Sequence, residues 1–305
     1  MAVFEGSCTA FITPFTESGD KINYVTLEQL IEFQLLHHSD ALIGLSSTGE
    51  GAALSESERT EYMEFVCAKV KKRVPLLFEI TAVSTQSAAD LIVQAVKAGA
   101  DGVLVPPPIY CRTSQRGVFD HYKYLASKSA IPVIAYNIPI RTGYTMAPKL
   151  IAELCRNHIL EDLVDGSGNF TAISETLSLC RDSLTLYAGN DDTILPMLAF
   201  GAKGAISAAA NLFPRQLHDL VMSYRCQDTA ASLNLQLQLT PIFRALSVDI
   251  SPSPIKAAAA LLGHSAGVCR PPLPTPDPAS LEHLRKVLLD FGALDEKHEE
   301  LKTKG

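Results

Sequence analysis

The sequence predicts an α/β fold in which eight parallel strands alternate with helices, close into a (β/α)8 TIM barrel and are followed by a C-terminal helical extension. Short apolar runs recur along the chain, as is typical of strands buried on both faces. Helical patterns separate these runs, and after residue 212 only helical patterns remain. A doubly wound sheet is the alternative, but no GxGxxG motif follows the first strand, which disfavours it.

The predicted strands are short segments rich in Val, Leu, Ile and Ala. In chain order they are Cys8–Pro14, Ala41–Leu45, Pro75–Thr81, Gly102–Val105, Pro132–Tyr136, Ile159–Val164, Leu184–Ala188 and Gly204–Ala208. Between them, apolar residues fall at helical spacing, as at Leu27, Leu30, Ile31 and Leu35. Ser55 and Glu58 form a capping box at the start of one such helix, and Gly99 is placed to end the next.

The helices predicted after the last strand span about 214–225, 228–246, 252–263 and 278–292. The first of them completes the barrel, so we expect a barrel domain over residues 1–225 and the C-terminal helical extension over residues 226–305. The charged segment 295–305 is expected to fray.

Composition excludes several classes of function. The chain has 305 residues and a net charge of −7, which disfavours nucleic-acid binding and attraction to acidic membrane lipids. Its seven cysteines are scattered without a CxxC pair, which favours a reducing compartment over a disulfide framework. No apolar stretch is long enough to span a membrane and the first residues do not resemble a signal peptide, so we expect a cytoplasmic protein.

Four segments at predicted strand ends carry polar groups where barrel enzymes keep their active sites. Ser46–Glu50 offers hydroxyl and backbone N–H donors for a carboxylate, and Tyr110 offers a phenol. Tyr136 can relay a proton and Arg141 can clamp a carboxylate with two donors. Asp165–Asn169 indicates a tight loop that opens the next helix. Taken singly, each segment also has a simpler interpretation as a turn, a packing tyrosine or a surface arginine.

Together, these motifs resemble the pyruvate-dependent class I aldolases of the dihydrodipicolinate synthase / N-acetylneuraminate lyase family over about residues 4–292. Ser46–Glu50 is similar to the family's G-[ST]-T-G-E, and Tyr136–Gly143 to its Y-N-x-P-x-R-T-G. Further similar segments, in family order, are Gly189–Asp191 (G-x-D), Gly204–Ser207 (G-V-I-S), Pro252–Lys256 (P-x-P-x-K) and Arg270–Leu273 (R-x-P-L).

The resemblance implies a site and an assembly. Ser47 and Thr48 would hold the carboxylate of pyruvate or a similar small 2-oxo acid, and Ile206 would line the substrate. Tyr136 would relay protons to the reacting oxygen, and Arg141 would clamp the carboxylate of a second substrate. Tyr110 would complete the proton relay by reaching into a neighbouring subunit, so the resemblance implies a homo-oligomer, a dimer or a tetramer, without a cofactor.

One departure from the family is chemically decisive. The family's sixth-strand motif is similar to [IV]-K-[DE]-x-[ST]-G-N, and here it is Leu163–Asn169, with Val164 at the position of the Schiff-base lysine. An isopropyl group has no nitrogen and cannot form an imine with a ketone. Lys203 precedes the eighth strand, at the opposite end of the predicted barrel, so it is not a substitute.

Two functions remain open from the sequence. In the first, the protein is a lyase, aldolase or hydratase that turns over a small 2-oxo acid without an imine, using the two tyrosines and Arg141. In the second, it is a catalytically inactive paralogue that binds a ligand or assists assembly. A metal-dependent mechanism is disfavoured because the eight histidines form no cluster with carboxylates at strand ends, so we predict no metal site.

Overall fold

The computed structural model of the chain describes residues 2–294 and contains eight strands that form a closed parallel barrel in sequence order. The strands are β1 (Gly6–Ala10), β2 (Ala41–Gly44), β3 (Leu76–Glu79), β4 (Gly102–Val105), β5 (Val133–Asn137), β6 (Asp162–Asp165), β7 (Thr185–Ala188) and β8 (Gly204–Ser207). β1 pairs with both β2 and β8, which closes the barrel. The predicted (β/α)8 barrel with a C-terminal helical extension is confirmed.

Successive strand residues point alternately into the barrel and outward against the helices. On β3, for example, Leu77 packs in the barrel interior whereas Leu76 and Phe78 pack in the outer core under the helices. We call the inward-facing set the interior cluster. It consists of Phe4, Cys8, Ala10, Ala41, Ile43, Leu77, Leu104, Ile134, Tyr136, Ile138, Val164, Tyr187 and Ile206.

The helices that surround the barrel are α1 (Tyr24–Leu36), α2 (Glu56–Val70), α3 (Thr85–Ala98), α4 (Gln115–Lys128), α5 (Pro139–Thr142), α6 (Pro148–Arg156), α7 (Phe170–Cys180), α8 (Ile194–Ala199) and α9 (Pro214–Arg225). The predicted capping box is present: the Glu58 N–H donates to Ser55 Oγ at 3.2 Å, and the Ser55 N–H donates to Glu58 Oε2 at 2.9 Å. Gly99 ends α3 with a φ of +102°, as predicted.

Three further helices form the C-terminal extension: α10 (Thr229–Leu246), α11 (Ser253–Leu261) and α12 (Pro278–Asp290). The four helices predicted after the last strand are therefore confirmed to within one or two residues at each end. The expected domain boundary between residues 225 and 226 falls between α9 and α10 and stays a prediction. The expected fraying of 295–305 lies outside the described residues.

Two predicted strands were wrong by three or more residues at one end. β1 stops at Ala10 instead of Pro14, because the Ile12 N–H leaves the barrel ladder and donates to Asn211 Oδ1 at 2.9 Å. β6 begins at Asp162 instead of Ile159, because the Ile159 N–H donates to the Leu154 carbonyl at 3.0 Å and so belongs to the end of α6. The other strand ends differ from prediction by no more than two residues.

All seven cysteines lie within residues 2–294 and are free thiols. Cys8 is fully buried in the interior cluster, and this burial raises the pKa of its thiol. Within the same residues, no helix has both the length and the apolar character needed to cross a membrane.

A buried ion pair joins the C-terminal extension to the loop after β2. Lys256 Nζ of α11 lies 2.6 Å from Glu50 Oε1, and the two side chains are 3% and 0% exposed. Lys256 also donates to the Val268 carbonyl at 2.9 Å and lies 4.3 Å from the centroid of the Phe15 ring. The second carboxylate oxygen of Glu50 accepts the Arg270 N–H at 2.8 Å. The extension therefore holds the loop that carries Ser47 and Thr48.

We predict that Lys256→Met destabilises the fold, because it leaves the Glu50 carboxylate buried without its counter-charge. Removing one partner of a buried ion pair costs about 3–5 kcal/mol, which corresponds to a melting temperature lower by roughly 10 °C. Differential scanning calorimetry measures this shift. Lys203→Met, at an exposed position, is the control and should melt like the wild type. An unchanged melting temperature for Lys256→Met would contradict the role given to this ion pair.

Candidate active site

Val164 lies in the barrel interior, between two tyrosines on neighbouring strands. Its Cα is in register with Tyr136 on β5 and with Tyr187 on β7, and its side chain is 0% exposed. The Phe4 and Tyr187 rings stack with centroids 4.4 Å apart, and the Tyr187 hydroxyl donates to the Phe4 carbonyl at 3.1 Å. Because Phe4 precedes β1, these two rings close the barrel on its N-terminal side. Val164 and Tyr136 are therefore left on the side that opens to the loops.

The loop after β2 is held in shape by its own backbone and by neighbouring residues. Ser46 Oγ accepts the Gly49 N–H at 3.2 Å, and the Thr13 hydroxyl donates to the Gly49 carbonyl at 2.5 Å. Thr48 is buried and Ser47 is half-buried. Among residues 2–294, neither the Ser47 nor the Thr48 hydroxyl makes a hydrogen bond within the chain. These two hydroxyls are thus available to a ligand.

Glu79 at the end of β3 is a site residue that the sequence analysis missed. It follows Leu77 by two positions and pairs in register with Leu104 of the interior cluster, so its side chain faces the barrel interior. It is 8% exposed, and its Oε1 accepts the Thr81 hydroxyl at 3.0 Å. Burial raises the pKa of the Glu79 carboxyl to about 7, against the lowering effects of Thr81, the Arg141 charge and the Ser47 backbone.

Tyr136 is one of the two tyrosines in register with Val164. Burial raises the pKa of its hydroxyl, and the negative charge of Glu79 raises it further, while Arg141 opposes both. The ring lies over the backbone at Gly166, where a Cβ would sit 3.4 Å from it. The Tyr136 ring therefore lies next to the end of β6.

Arg141 lies at the rim of the barrel mouth on α5. Its guanidinium is exposed, with Nη2 3.5 Å from the Ser251 carbonyl in the C-terminal extension. The short helix is fixed by the Thr142 hydroxyl, which donates to the Ile138 carbonyl at 3.1 Å, and by Gly143 with a φ of +64°. The Arg141 charge lowers the pKa values of both Glu79 and Tyr136, so it affects groups in the barrel interior although the side chain lies at the rim.

Tyr110 is not brought to the other site residues within one chain. Its side chain is 92% exposed, and its φ of +62° turns the loop after β4 outward. A bulky non-glycine residue with this φ is uncommon and marks a strained turn. Neighbouring backbone groups brace the turn, with the Arg112 N–H donating to the Tyr110 carbonyl at 2.9 Å.

A cavity of about 540 Å³ lies at the ends of β7 and β8, beneath α10 and α11. Ile206, Asp191 and Arg244 line it, whereas Ser47, Thr48, Tyr136 and Val164 do not. Asp191 Oδ2 accepts the Ala209 N–H at 3.0 Å, and burial raises the pKa of this carboxyl to about 6. The Ser207 hydroxyl and the Ala208 and Ala209 backbone oppose this rise in the pKa of Asp191. The motif Gly189–Asp191 was noted in the sequence, but no role was given to Asp191.

The loop after β6 is supported by a polar network. Asn137 Nδ2 donates to Asp165 Oδ2 at 2.8 Å, and the Ser167 N–H and hydroxyl both donate to Asp165 Oδ1, at 2.9 and 2.6 Å. Asn137 Oδ1 also accepts the Met146 N–H at 3.1 Å. The polar residues of the sixth-strand motif therefore support the loop, while Val164 alone of that motif points into the barrel interior.

Among residues 2–294, no lysine side chain is placed to supply an amine at the position of Val164. Among the lysines of residues 2–294, Lys256 is the one that is buried, and it is engaged by Glu50 and Val268. Lys203 is exposed, and its carbonyl accepts the N–H of Gly6 at the N-terminal end of the barrel, as the sequence predicted. Across the same residues, no group of three or more His, Cys, Asp or Glu side chains is arranged to hold a metal ion.

A closed parallel barrel with polar groups at its C-terminal face belongs to the class of (β/α)8 barrels, whose enzymes carry their active sites at that face. Residues 3–290 match the profile of the Dihydrodipicolinate synthetase family, and the chain belongs to that family. It is 37% identical over 293 residues to the 4-hydroxy-tetrahydrodipicolinate synthase of Acetivibrio thermocellus, covering 96% of this chain and 99% of that protein.

Two solved structures show the same similarity in three dimensions. Dihydrodipicolinate synthase from Thermotoga maritima is 32% identical with a TM-score of 0.92, covering 96% of this chain and 100% of that chain. The chloride-inhibited dihydrodipicolinate synthase from Acinetobacter baumannii, complexed with pyruvate, is 27% identical with a TM-score of 0.92, covering 95% of this chain and 99% of that chain. The predicted family resemblance is confirmed.

We predict that Glu79→Gln stabilises the fold in a pH-dependent way. The folded protein holds a proton on Glu79 up to a pKa of about 7, whereas the unfolded chain releases it near 4.5. Stability is therefore lost as the pH rises through this window, and the variant escapes that loss. At about pH 8 it should be more stable than the wild type by up to about 3 kcal/mol, and the difference should shrink toward pH 4.5.

Thermal melts at several pH values measure this difference, with Glu64→Gln on the exposed face of α2 as the control. If Glu79→Gln were destabilising at high pH, or had the same effect at every pH, the carboxyl would not be buried as described.

Proposed function

We propose that the protein is a lyase or aldolase of its family whose barrel mouth binds a small 2-oxo acid such as pyruvate, and that its chemistry does not pass through an imine on β6. The single observation that carries this proposal is Val164, buried in register with Tyr136 where the resemblance expects the Schiff-base lysine. Lys256, the buried lysine, is taken up by its ion pair with Glu50 and cannot replace that amine.

The proposed contacts of the 2-oxo acid follow from the groups around Val164. Its carboxylate would accept hydrogen bonds from the hydroxyls of Ser47 and Thr48, which have no partners within residues 2–294. The keto group would lie near Tyr136, whose phenol keeps its proton and can donate it. The relative from Acinetobacter baumannii that is complexed with pyruvate supports this class of ligand.

A second substrate or a longer product would extend toward β7 and β8. Arg141 at the rim would clamp a carboxylate, because a guanidinium offers two parallel donors. The cavity of about 540 Å³ continues past Ile206 to Asp191, and is large enough for a molecule bigger than pyruvate. The identity of this second molecule is left to experiment.

The protein is further proposed to act as a homo-oligomer, a dimer or a tetramer, in the cytoplasm. The support is Tyr110, whose ring is 92% exposed on a strained outward turn and reaches no group of its own site. A neighbouring subunit would bury this ring and could receive its hydroxyl as part of a proton relay.

We expect that sodium borohydride leaves the mass of the wild-type protein unchanged in the presence of pyruvate, and that Val164→Lys becomes trappable. The new side chain would carry an amine into the interior beside Tyr136, and burial there would lower the pKa of the amine and free its neutral form. Intact mass spectrometry detects the reduced adduct. Val164→Met, of similar length but without nitrogen, is the matched control and should stay unmodified.

Binding and turnover complete this test. Without an imine, we expect the wild type to bind pyruvate with a roughly millimolar Kd, about −4 kcal/mol, by calorimetry or ligand-observed NMR. Turnover of pyruvate with candidate aldehydes would separate an enzyme from an inactive paralogue that only binds. An adduct on wild-type protein would show that another lysine does the chemistry and would overturn the proposal.

A further inference from the structure

Glu79 is a buried acid without a cation beside it. The described residues 2–294 contain nine ion pairs within 4 Å, and Glu79 is in none of them. By contrast, Glu50, the other buried glutamate, is paired with Lys256 at 2.6 Å. Burying a carboxyl with one hydroxyl donor and a distant guanidinium costs stability, and a small apolar residue would avoid that cost. Buried groups that lower the stability of a fold occur preferentially at functional sites.

The Glu79 carboxyl interacts electrostatically with other groups of the candidate site. It faces the barrel interior from β3, and its charge affects the pKa of Tyr136 on β5. The Ser47 backbone, in the loop after β2, and the Arg141 charge, on α5, both lower the pKa of Glu79. Glu79 and Tyr136 thus face the same barrel interior as Val164, and the Arg141 charge acts on both from the rim. This interior is the space into which the proposed 2-oxo acid would bind.

We infer that Glu79 is the catalytic acid–base residue of this pocket, taking and returning a proton at C3 of the bound 2-oxo acid. This inference rests on the proposed function and deepens it. Asp162 of β6 also faces the interior, but it interacts with Tyr187 on the closed N-terminal side, whereas the Glu79 carboxyl acts on the protonated Tyr136 phenol. A carboxyl and a phenol are the two groups that enolisation needs when no amine is present.

The step balances without a co-reactant. The Glu79 carboxylate removes a proton from C3, and the electron pair of that C–H bond forms the C2=C3 double bond. The carbonyl pair moves to the keto oxygen, which is stabilised by the Tyr136 hydroxyl or takes its proton. In the reverse direction the Glu79 carboxyl returns a proton to C3 and the carbonyl forms again. The enol carbon could instead attack an aldehyde, which is the bond-forming step of an aldolase.

Exchange of the methyl protons of pyruvate in D₂O tests this step directly, because the proton held by Glu79 is replaced by solvent deuterium between the forward and reverse steps. Proton NMR follows the loss of the methyl signal. We expect the wild type to exchange faster than buffer alone, and Glu79→Gln to be slower by about 100-fold or more. Glu79→Asp, which keeps the acid, should retain part of the rate. Glu64→Gln, with its exposed side chain, should match the wild type.

The pH profile separates a catalytic role from a structural one. The wild-type rate should rise as Glu79 ionises and level off above about pH 7, and this rise should vanish in Glu79→Gln. The titratable or charged groups around Glu79 are Tyr136 on β5, Arg141 on α5 and, across a small cavity beside β3, Arg59 on α2. Asp162 and Asp191 have pKa values of about 6 and also titrate in this window, so the loss of the rise in Glu79→Gln is what assigns it to the Glu79 carboxyl.

The outcomes are distinguishable when pyruvate binding is measured on the same samples by ligand-observed NMR. If Glu79→Gln binds pyruvate like the wild type but has lost the exchange, the inference is supported. If it binds and exchanges like the wild type, or if the wild type binds without any exchange, the inference is overturned while the 2-oxo acid site stands. If the wild type does not bind pyruvate at all, the proposed function itself fails, and the inference with it.

Discussion

Closure of eight strands into a barrel forces every second residue of each strand into one shared interior, and the chemistry of this protein depends on that constraint. An interior residue cannot turn toward solvent without breaking the register with both neighbouring strands. Val164 therefore stays in the interior, held by its pairing with Tyr136 and Tyr187. The same alternation that buries an apolar side chain on β6 brings a carboxyl inside on β3, at Glu79.

The electrostatics of the proposed site differ from those of an amine-bearing pocket. A lysine ammonium must lose a proton before its amine can attack a ketone, whereas a carboxyl near its pKa can move a proton in either direction at neutral pH. The interior also keeps the Tyr136 phenol protonated, because its ionised form would lie unsolvated beside Glu79. Outside the barrel, the Lys256–Glu50 ion pair fixes the extension over the loop that carries Ser47 and Thr48.

The fold was predictable because its signals are local and repeated. Each signal depends on only a few neighbouring residues, as in the apolar runs, the Ser55 capping box and the helix end at Gly99. The order of these signals along the chain predicts the barrel. Strand ends were less predictable, since they depend on distant partners such as Asn211, which captures the Ile12 N–H. The sequence also predicted the placement of Val164, because the flanking Asp165 and Asn169 fix the register of that motif.

Other parts of the candidate site carry no sequence motif. Glu79 sat inside the predicted strand Pro75–Thr81, and counting two positions on from an inward-facing Leu77 would have found it. The outward turn at Tyr110 depends on a left-handed φ that no pattern in the sequence marks. The role predicted for Arg141 as a carboxylate clamp stays a prediction, and the effect of its charge on the pKa of Glu79 is a property of the closed barrel.

A crystal structure of the protein soaked with pyruvate is the most direct test of this site. The predicted result is an intact 2-oxo acid above Val164, with its carboxylate on the hydroxyls of Ser47 and Thr48. Its methyl carbon should lie within reach of the Glu79 carboxylate, and no covalent bond should join it to the protein. Continuous electron density from the C2 atom of pyruvate to the Nζ of any lysine, or pyruvate bound away from Val164 altogether, would contradict it.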